Sequence, residues 1–238
     1  MRRLPCVLDL DRDPVFPDDL CPDEHGLVAM GGELSDRVLL EAYSKGIFPW
    51  FNAPPLMWFS PDPRTVLFPE RFHVPDRLAR QLRQGRFEVR FDRDFEQIML
   101  GCASVPRPHE EGTWIDRQFL AAYTRLHRLH VTHCVGVYLD GGLCGGLYGV
   151  SLGAVFFGES MFSLAPNTSK IALACLVDWV RKRGFLLIDC QARTEHLISL
   201  GAEEIPRARF LELLSEGLRL PDHRYDWSEP LSGAKPSI

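Results

Sequence analysis

Three groups of residues in this chain have the types and spacing to do chemistry. The first is the run Leu-Leu-Ile-Asp-Cys-Gln at 186–191. Side chains alternate faces along a strand, so Asp189 and Gln191 are expected on one face and Cys190 on the other. Apolar residues precede them, which puts a carboxylate and a carboxamide side by side at the end of a buried strand, where open α/β sheets hold ligands. Such a pair can steer or accept an amine proton. It can equally serve structure, with Asp189 capping the next turn and Gln191 bonding main chain. On this alternation Cys190 faces away from the site and reads as core rather than nucleophile.

The second group lies in Val-Phe-Phe-Gly-Glu-Ser-Met-Phe-Ser, 155–163. A strand that stays regular past Gly158 would put Phe157, Glu159 and Met161 on one face. A carboxylate in so apolar a setting is costly without a partner or ligand. Beside Asp189 and Gln191, Glu159 could bind an ammonium group or relay a proton. The third group is basic: Arg77, Arg80, Arg83 and Arg86 recur every three residues, with Leu78 and Leu82 on the other side of the same expected helix. Arg71, Arg90 and Arg93 are near in sequence. The stripe is either a solvated helix face or a track for phosphates, and the chain's net charge of −5 makes such a concentration of arginine notable.

Other candidates carry less. His127, His130 and His133 run from a helix end into a strand and are not expected to converge on a metal. The glycines at 141, 142, 145, 146 and 149 fit hairpin turns better than a phosphate cradle, because no helix follows them directly. Trp50, Trp58 and Trp114 suit either a core or a stacking surface for a nucleobase. The seven cysteines are odd in number and none forms a C-x-x-C pair, which argues against a zinc site or a disulfide framework and for reduced thiols in a cytoplasmic protein.

The elements that must position these groups are legible in part. Ser35 opens a helix that Gly46 ends. Residues 1–25 read as an irregular wrap, and the proline-rich stretch from Phe48 to Arg64 as a boundary between a small domain, 1–64, and the remainder, 65–238. Then come a short strand at 66–68, a helix at 75–84, a strand at 87–91 and helices at 94–102 and 117–129. Strands at 133–139, 145–151 and 154–160 follow, joined by Asp140-Gly141-Gly142 and Leu152-Gly153 as in antiparallel hairpins. A strong helix at 168–183, a buried strand at 185–190 and helices at 195–200 and 207–218 complete the pattern. This is an α+β fold with a mostly antiparallel sheet and one late βαβ crossover. With 238 residues, 45% hydrophobic and 25% charged, the chain is read as a soluble globular protein. No signal peptide or apolar run of about eighteen residues is seen.

Several segments together resemble the leucyl/phenylalanyl-tRNA–protein transferase family: GLVAMGGELS (26–35), YSKGIFPWF (43–51), WFSPDPR (58–64), EEGTWI (110–115), GGLYGVSLG (145–153), FFGESMFS (156–163), NTSK (167–170), LIDCQ (187–191) and HLISLGAEEIPR (196–207). The resemblance implies an aminoacyltransferase that moves Leu or Phe, and Met less well, from aminoacyl-tRNA to proteins beginning with Arg or Lys. The product would be marked for the bacterial Clp protease system. It also implies a small N-terminal domain followed by a Gcn5-type N-acetyltransferase-like domain. Carried over by position, Asp189 and Gln191 match the reactive pair and Glu159 the Glu of its motif. Trp50 and Trp114 match aromatics near the aminoacyl-adenosine end, and Leu147, Ser160 and Met161 match the side-chain pocket. Arg77, Arg80 and Arg83 match a basic region for the acceptor stem. Where relatives can carry aromatic residues on the helix lining the pocket, this chain has Leu176 and Val180.

The implied chemistry is aminolysis of an ester, with Asp189 accepting or steering the amine proton, Gln191 positioning amine or carbonyl, and Glu159 orienting the aminoacyl-adenosine. It requires no metal and no organic cofactor. Two alternatives remain in view. An acyl-CoA N-acetyltransferase usually needs a glycine-rich loop before a helix, but the corresponding segment SLAPNTSK (163–170) has no glycine. The other is a non-catalytic module that binds tRNA or an N-degron.

Overall fold

The computed structural model describes residues 5–13, 15–18, 21–50, 55–105 and 115–228. A small sheet is built from β1 (Cys6–Val7), β2 (Leu27–Met30), β3 (Phe48–Trp50) and β4 (Met57–Phe59), in the order β1-β2-β4-β3. Helix α1 (Asp36–Ser44) connects β2 to β3 and buries Val38, Leu39, Ala42 and Tyr43. The segment expected as an irregular wrap therefore supplies a strand, β1, which runs parallel to β2. The proline-rich stretch also contains more order than expected, since it holds both β3 and β4.

A larger sheet begins at Arg64. It comprises β5 (Arg64–Leu67), β6 (Glu88–Phe91), β7 (Thr132–Leu139), β8 (Gly142–Leu152), β9 (Val155–Ser163), β10 (Leu187–Gln191) and β11 (Glu203–Ile205), in the order β11-β5-β10-β9-β8-β7-β6. The helices around it are α2 (Asp76–Gln84), α3 (Phe95–Ala103), α4 (Arg117–Arg128), α5 (Thr168–Arg181), α6 (Glu195–Ile198) and α7 (Arg207–Gly217). Among the described residues the sheet's one parallel pair is β9–β10, joined across α5. The α+β class, the antiparallel meander and the late crossover are as expected from the sequence.

Each face of the large sheet packs a core. One contains Tyr43, Trp58, Tyr123, Tyr148, Phe157 and Phe210, so the small sheet, α4 and α7 share it. The other lies under α5 and contains Leu147, Phe156, Leu173, Leu176 and Ile188. Gly145, Gly146 and Gly149, which the sequence offers to hairpin turns, lie inside β8, within the strand expected at 145–151. A Cβ on Gly145 would stand 2.3 Å from Thr168 Oγ1, so the missing side chain lets the start of α5 settle on the sheet. Thr168 is buried there and donates to the carbonyl of Cys144.

Two bulges shape the centre of this sheet. Tyr148 pairs with Ser160 and Gly149 with Gly158, leaving Glu159 as the extra residue of β9. On β10, Asp189 pairs with Val66 and Gln191 with Thr65, leaving Cys190 as the extra residue. Bulges re-aim side chains and break the alternation on which face assignments rest.

Candidate active site

A cavity of about 650 Å³ opens between α5, α6, the bulged ends of β9 and β10, and β3 of the small sheet. Its apolar wall is formed by Leu147, Phe156, Met161, Leu173, Leu176 and Ile188, while Phe48, Pro49 and Trp50 close it from the small sheet. Its polar end presents Glu159, Ser160, Gln191, Thr194 and His196. Of the residues singled out in the sequence, Glu159, Gln191, Trp50, Leu147, Ser160, Met161 and Leu176 thus share one cavity. Val180 is buried under the sheet and does not line it. Trp114 lies outside the described residues.

Both bulges overturn the alternation read from the sequence. Phe157 turns to the opposite core, where its ring meets Tyr43 edge-on at 5.2 Å, while Glu159 and Met161 face the cavity. Asp189 and Gln191 do not share a face. Gln191 has φ +62°, and this left-handed turn brings it into the cavity together with Cys190. Asp189 stays behind, fully buried, and does not line the cavity. Cys190 therefore does face the site, although burial first and the Asp189 charge second raise its pKa and keep it a thiol.

Both Asp189 oxygens are occupied. Oδ1 accepts from Arg64 Nε at 2.8 Å and from the main-chain N–H of Gln191 at 2.9 Å, and Oδ2 accepts from Arg64 Nη2 at 2.6 Å. Across the cavity end, Gln191 Nε2 donates to Glu159 Oε1 at 2.8 Å. Tyr123 donates its hydroxyl proton to Glu159 Oε2 at 3.2 Å, and the Tyr43 and Tyr123 hydroxyls lie 2.5 Å apart. Burial pushes the Glu159 carboxyl up to about 7, against the hydrogen bonds from Tyr43, Tyr123 and Gln191 and with help from the Asp189 charge. Burial and the Glu159 charge hold both tyrosines well above the ordinary phenol value, so they remain donors.

Tyr43, Tyr123, Arg64 and His196 do not stand out as site residues in the sequence. Tyr43 and Tyr123 lie on helical apolar faces, where an aromatic residue reads as core. Arg64 lies in a matched segment, yet a lone arginine at a strand start gives no sign of burial. His196 lines the polar end of the cavity, and burial, then Lys170, lowers its pKa.

The arginines of α2 lie apart from the cavity lining. Arg77, Arg80 and Arg83 are exposed, Leu78 is buried, and Gly85 ends the helix at φ +62°. Asn167 Nδ2 donates to Gln81 Oε1 at 2.6 Å, which ties α2 to the start of α5. The histidines go to separate partners: His127 Nδ1 lies 2.8 Å from the carbonyl of Thr132, and His133 Nδ1 lies 2.8 Å from Asp92 Oδ2. Among the described residues, no three His, Cys, Asp or Glu side chains are grouped to hold a metal ion, and no helix is long and apolar enough to cross a membrane.

Fold and site define an α+β protein whose deep apolar cavity is walled in part by a small sheet and headed by a carboxylate–carboxamide pair. The family model described as leucyl/phenylalanyl-tRNA protein transferase matches residues 66–215, and the model of that family's N-terminal domain matches 32–62. A leucyl/phenylalanyl-tRNA–protein transferase of Anaeromyxobacter sp. (strain K) is 50% identical over 97% of this chain and 98% of its own. One from Syntrophotalea carbinolica is 52% identical over 87% of this chain and 91% of its own. Among solved structures, a ribosomal-protein-alanine N-acetyltransferase from Brucella melitensis biovar Abortus aligns at 13% identity and TM-score 0.35, covering 48% of this chain and 86% of its own. The chain belongs to the leucyl/phenylalanyl-tRNA–protein transferase family.

Proposed function

We propose that this chain is an aminoacyltransferase that moves Leu or Phe, and Met less well, from aminoacyl-tRNA to the N-terminal Arg or Lys of acceptor proteins. The observation that carries this reading is the cavity itself, an apolar chamber roomy enough for an aminoacyl group with part of its adenosine and presenting Gln191 and Glu159 at its polar end. The aminoacyl side chain sits against Leu147, Met161 and Leu176, with Ser160 beside it. Trp50, and Trp114 on the sequence match, stack on the adenosine end. Arg77, Arg80 and Arg83 form the exposed track for acceptor-stem phosphates.

The acceptor's neutral amine attacks the ester carbonyl, forming a C–N bond while the bond from the carbonyl carbon to the tRNA 3′ oxygen breaks. The nitrogen sheds a proton and the departing 3′ oxygen gains one. Gln191 donates Nε2 to Glu159, which leaves its own carboxamide oxygen to accept from the amine and align it. Glu159, with a carboxyl pushed up to about 7, is matched to taking the proton and passing it to the leaving oxygen near neutral pH. Positioning supplies most of the acceleration, because the ester is already activated. Asp189 is ion-paired with Arg64 and lies behind Gln191, outside the cavity lining, whereas Glu159 faces the cavity, so the base role expected of Asp189 passes to Glu159 and its part becomes holding Gln191.

We further read 1–64 as a small domain and 65–238 as the catalytic domain, a division that the separate sheets support. Seven free cysteines support a cytoplasmic setting, where the product would feed the Clp protease system. The acyl-CoA alternative is less well supported at the start of α5. There Ser169 N–H already donates to Ser163 Oγ at 2.9 Å and Thr168 N–H to the carbonyl of Ala165 at 3.2 Å, so amides that a pyrophosphate would need have partners. The test is labelled leucine from Leu-tRNA against acetyl-CoA, each offered with a peptide beginning with Arg. Leucyl transfer alone is expected; acetyl transfer, or tRNA binding without either reaction, would overturn the reading.

A further inference from the structure

Arg64, the first residue of β5, is fully buried and gripped on three sides. Its Nε and Nη2 donate to the two oxygens of Asp189 at 2.8 and 2.6 Å. Its Cζ stands 4.8 Å from the Phe48 ring centre and 4.5 Å from that of Phe210. A planar guanidinium satisfies a bidentate carboxylate and stacks between rings at once, which an ammonium cannot do. The same Asp189 Oδ1 accepts the main-chain N–H of Gln191 at 2.9 Å. That bond holds a residue at φ +62°, a region L side chains rarely adopt, and the turn carries the carboxamide to Glu159.

We infer that Arg64 is a positioning residue for the transfer reaction. Through Asp189 it fixes the main chain of Gln191, and so the angle at which the carboxamide enters the cavity. Through Phe48 it ties that angle to β3, the strand that brings Pro49 and Trp50 to the cavity wall. The inference rests on the reading of Gln191 and Glu159 as the reacting end of the cavity. A buried pair that served stability alone could be exchanged for apolar residues of similar volume with little loss. This pair also holds a strained residue that faces the substrate, so the exchange is expected to keep the fold and lose the rate.

The experiment is steady-state leucyl transfer from Leu-tRNA to a peptide beginning with Arg, using the full chain, with thermal melts on every variant. Arg64→Gln and the paired Arg64→Met/Asp189→Leu are both expected to lower kcat by about tenfold or more, with KM for Leu-tRNA within about twofold. The apolar pair should retain its melting temperature. Glycine enters the left-handed region unaided, so adding Arg64→Gln to Gln191→Gly should cost less than about a further twofold. If Arg64→Gln is too unstable to assay, the apolar pair takes its place in the same cycle. Unchanged kcat in the Arg64 variants, or the full loss repeated on top of Gln191→Gly, would overturn the inference alone. A wild-type chain that does not transfer leucine would overturn the functional reading and the inference with it.

Discussion

Gln191 Nε2 and Glu159 Oε1 meet at 2.8 Å, although each belongs to a strand whose alternation is broken just there. A regular β9 or β10 would carry one of the two away from the cavity. The bulges are therefore what make the pair, and the pair is what gives an otherwise apolar chamber a reacting end.

The pH dependence follows from Glu159. Its folded-state carboxyl is raised to about 7, so it is charged and able to accept a proton only above that value. Single-turnover transfer is expected to fall, as pH drops below about 7, by about tenfold per unit beyond the loss that protonation of the acceptor amine causes by itself. The linkage to stability has the opposite sign. Between the unfolded value near 4.5 and about 7 the folded state holds the proton more tightly, so stability is lost as pH rises through that window. Glu159→Gln should thus abolish most of the rate, by about 10²–10⁴-fold, yet gain melting temperature over wild type at alkaline pH and not at acid pH. A flat pH–rate profile through neutrality would refute the base role.

The tyrosines tune that carboxylate. Tyr43 and Tyr123 both stabilise its charged form, so Tyr43→Phe or Tyr123→Phe should move the rate limb to higher pH. Each removes one hydroxyl of a buried pair and costs the other their shared hydrogen bond while its contact with Glu159 remains, at about 0.5–1.5 kcal/mol in stability. A limb that stays where it is in both variants would show that the hydroxyls do not act on Glu159.

The arginine face of α2 makes a separable prediction. Arg77, Arg80 and Arg83 are exposed, so replacing all three by Ala should leave the melting temperature nearly unchanged. Each phosphate contact contributes about 0.7–0.9 to the slope of log affinity against log salt, so the triple variant should flatten that slope by roughly 2–3. Transfer from a minimal aminoacyl-adenosine donor should be spared. An unaltered salt slope would assign the stripe to plain solvation.

Legibility in the sequence tracks regularity. The meander is readable because β7, β8 and β9 are apolar strands separated by Asp-Gly and Leu-Gly turns, and α5 because its buried face and basic end obey helix rules. Glu159 and Gln191 stand out because a carboxylate and a carboxamide follow apolar runs. Which way each points is not readable, since a bulge is a one-residue slip that leaves composition untouched. Tyr43, Tyr123 and Arg64 are hidden for another reason. Their role lies in contacts across long sequence separations, such as Arg64 to Asp189, which local pattern does not encode.

Leu176 offers the sharpest handle on specificity. It lies on α5, is almost fully buried, and lines the apolar wall opposite the polar end of the cavity. Leucine there leaves room that a ring would fill, so Leu176→Phe should shrink the chamber and bias transfer toward Leu over Phe. A methylene's worth of fit is about 1–3 kcal/mol in such a pocket, so the ratio of kcat/KM values should shift by roughly 10–200-fold. Leu176→Ala should relax discrimination in the other direction, at a stability cost of about 2–5 kcal/mol for the cavity it opens in the α5 core. Competition between Leu-tRNA and Phe-tRNA for one acceptor peptide reads the ratio directly. Equal ratios in wild type and both variants would mean that the aminoacyl side chain does not rest against α5 at all, and the pocket would have to be sought nearer Trp50.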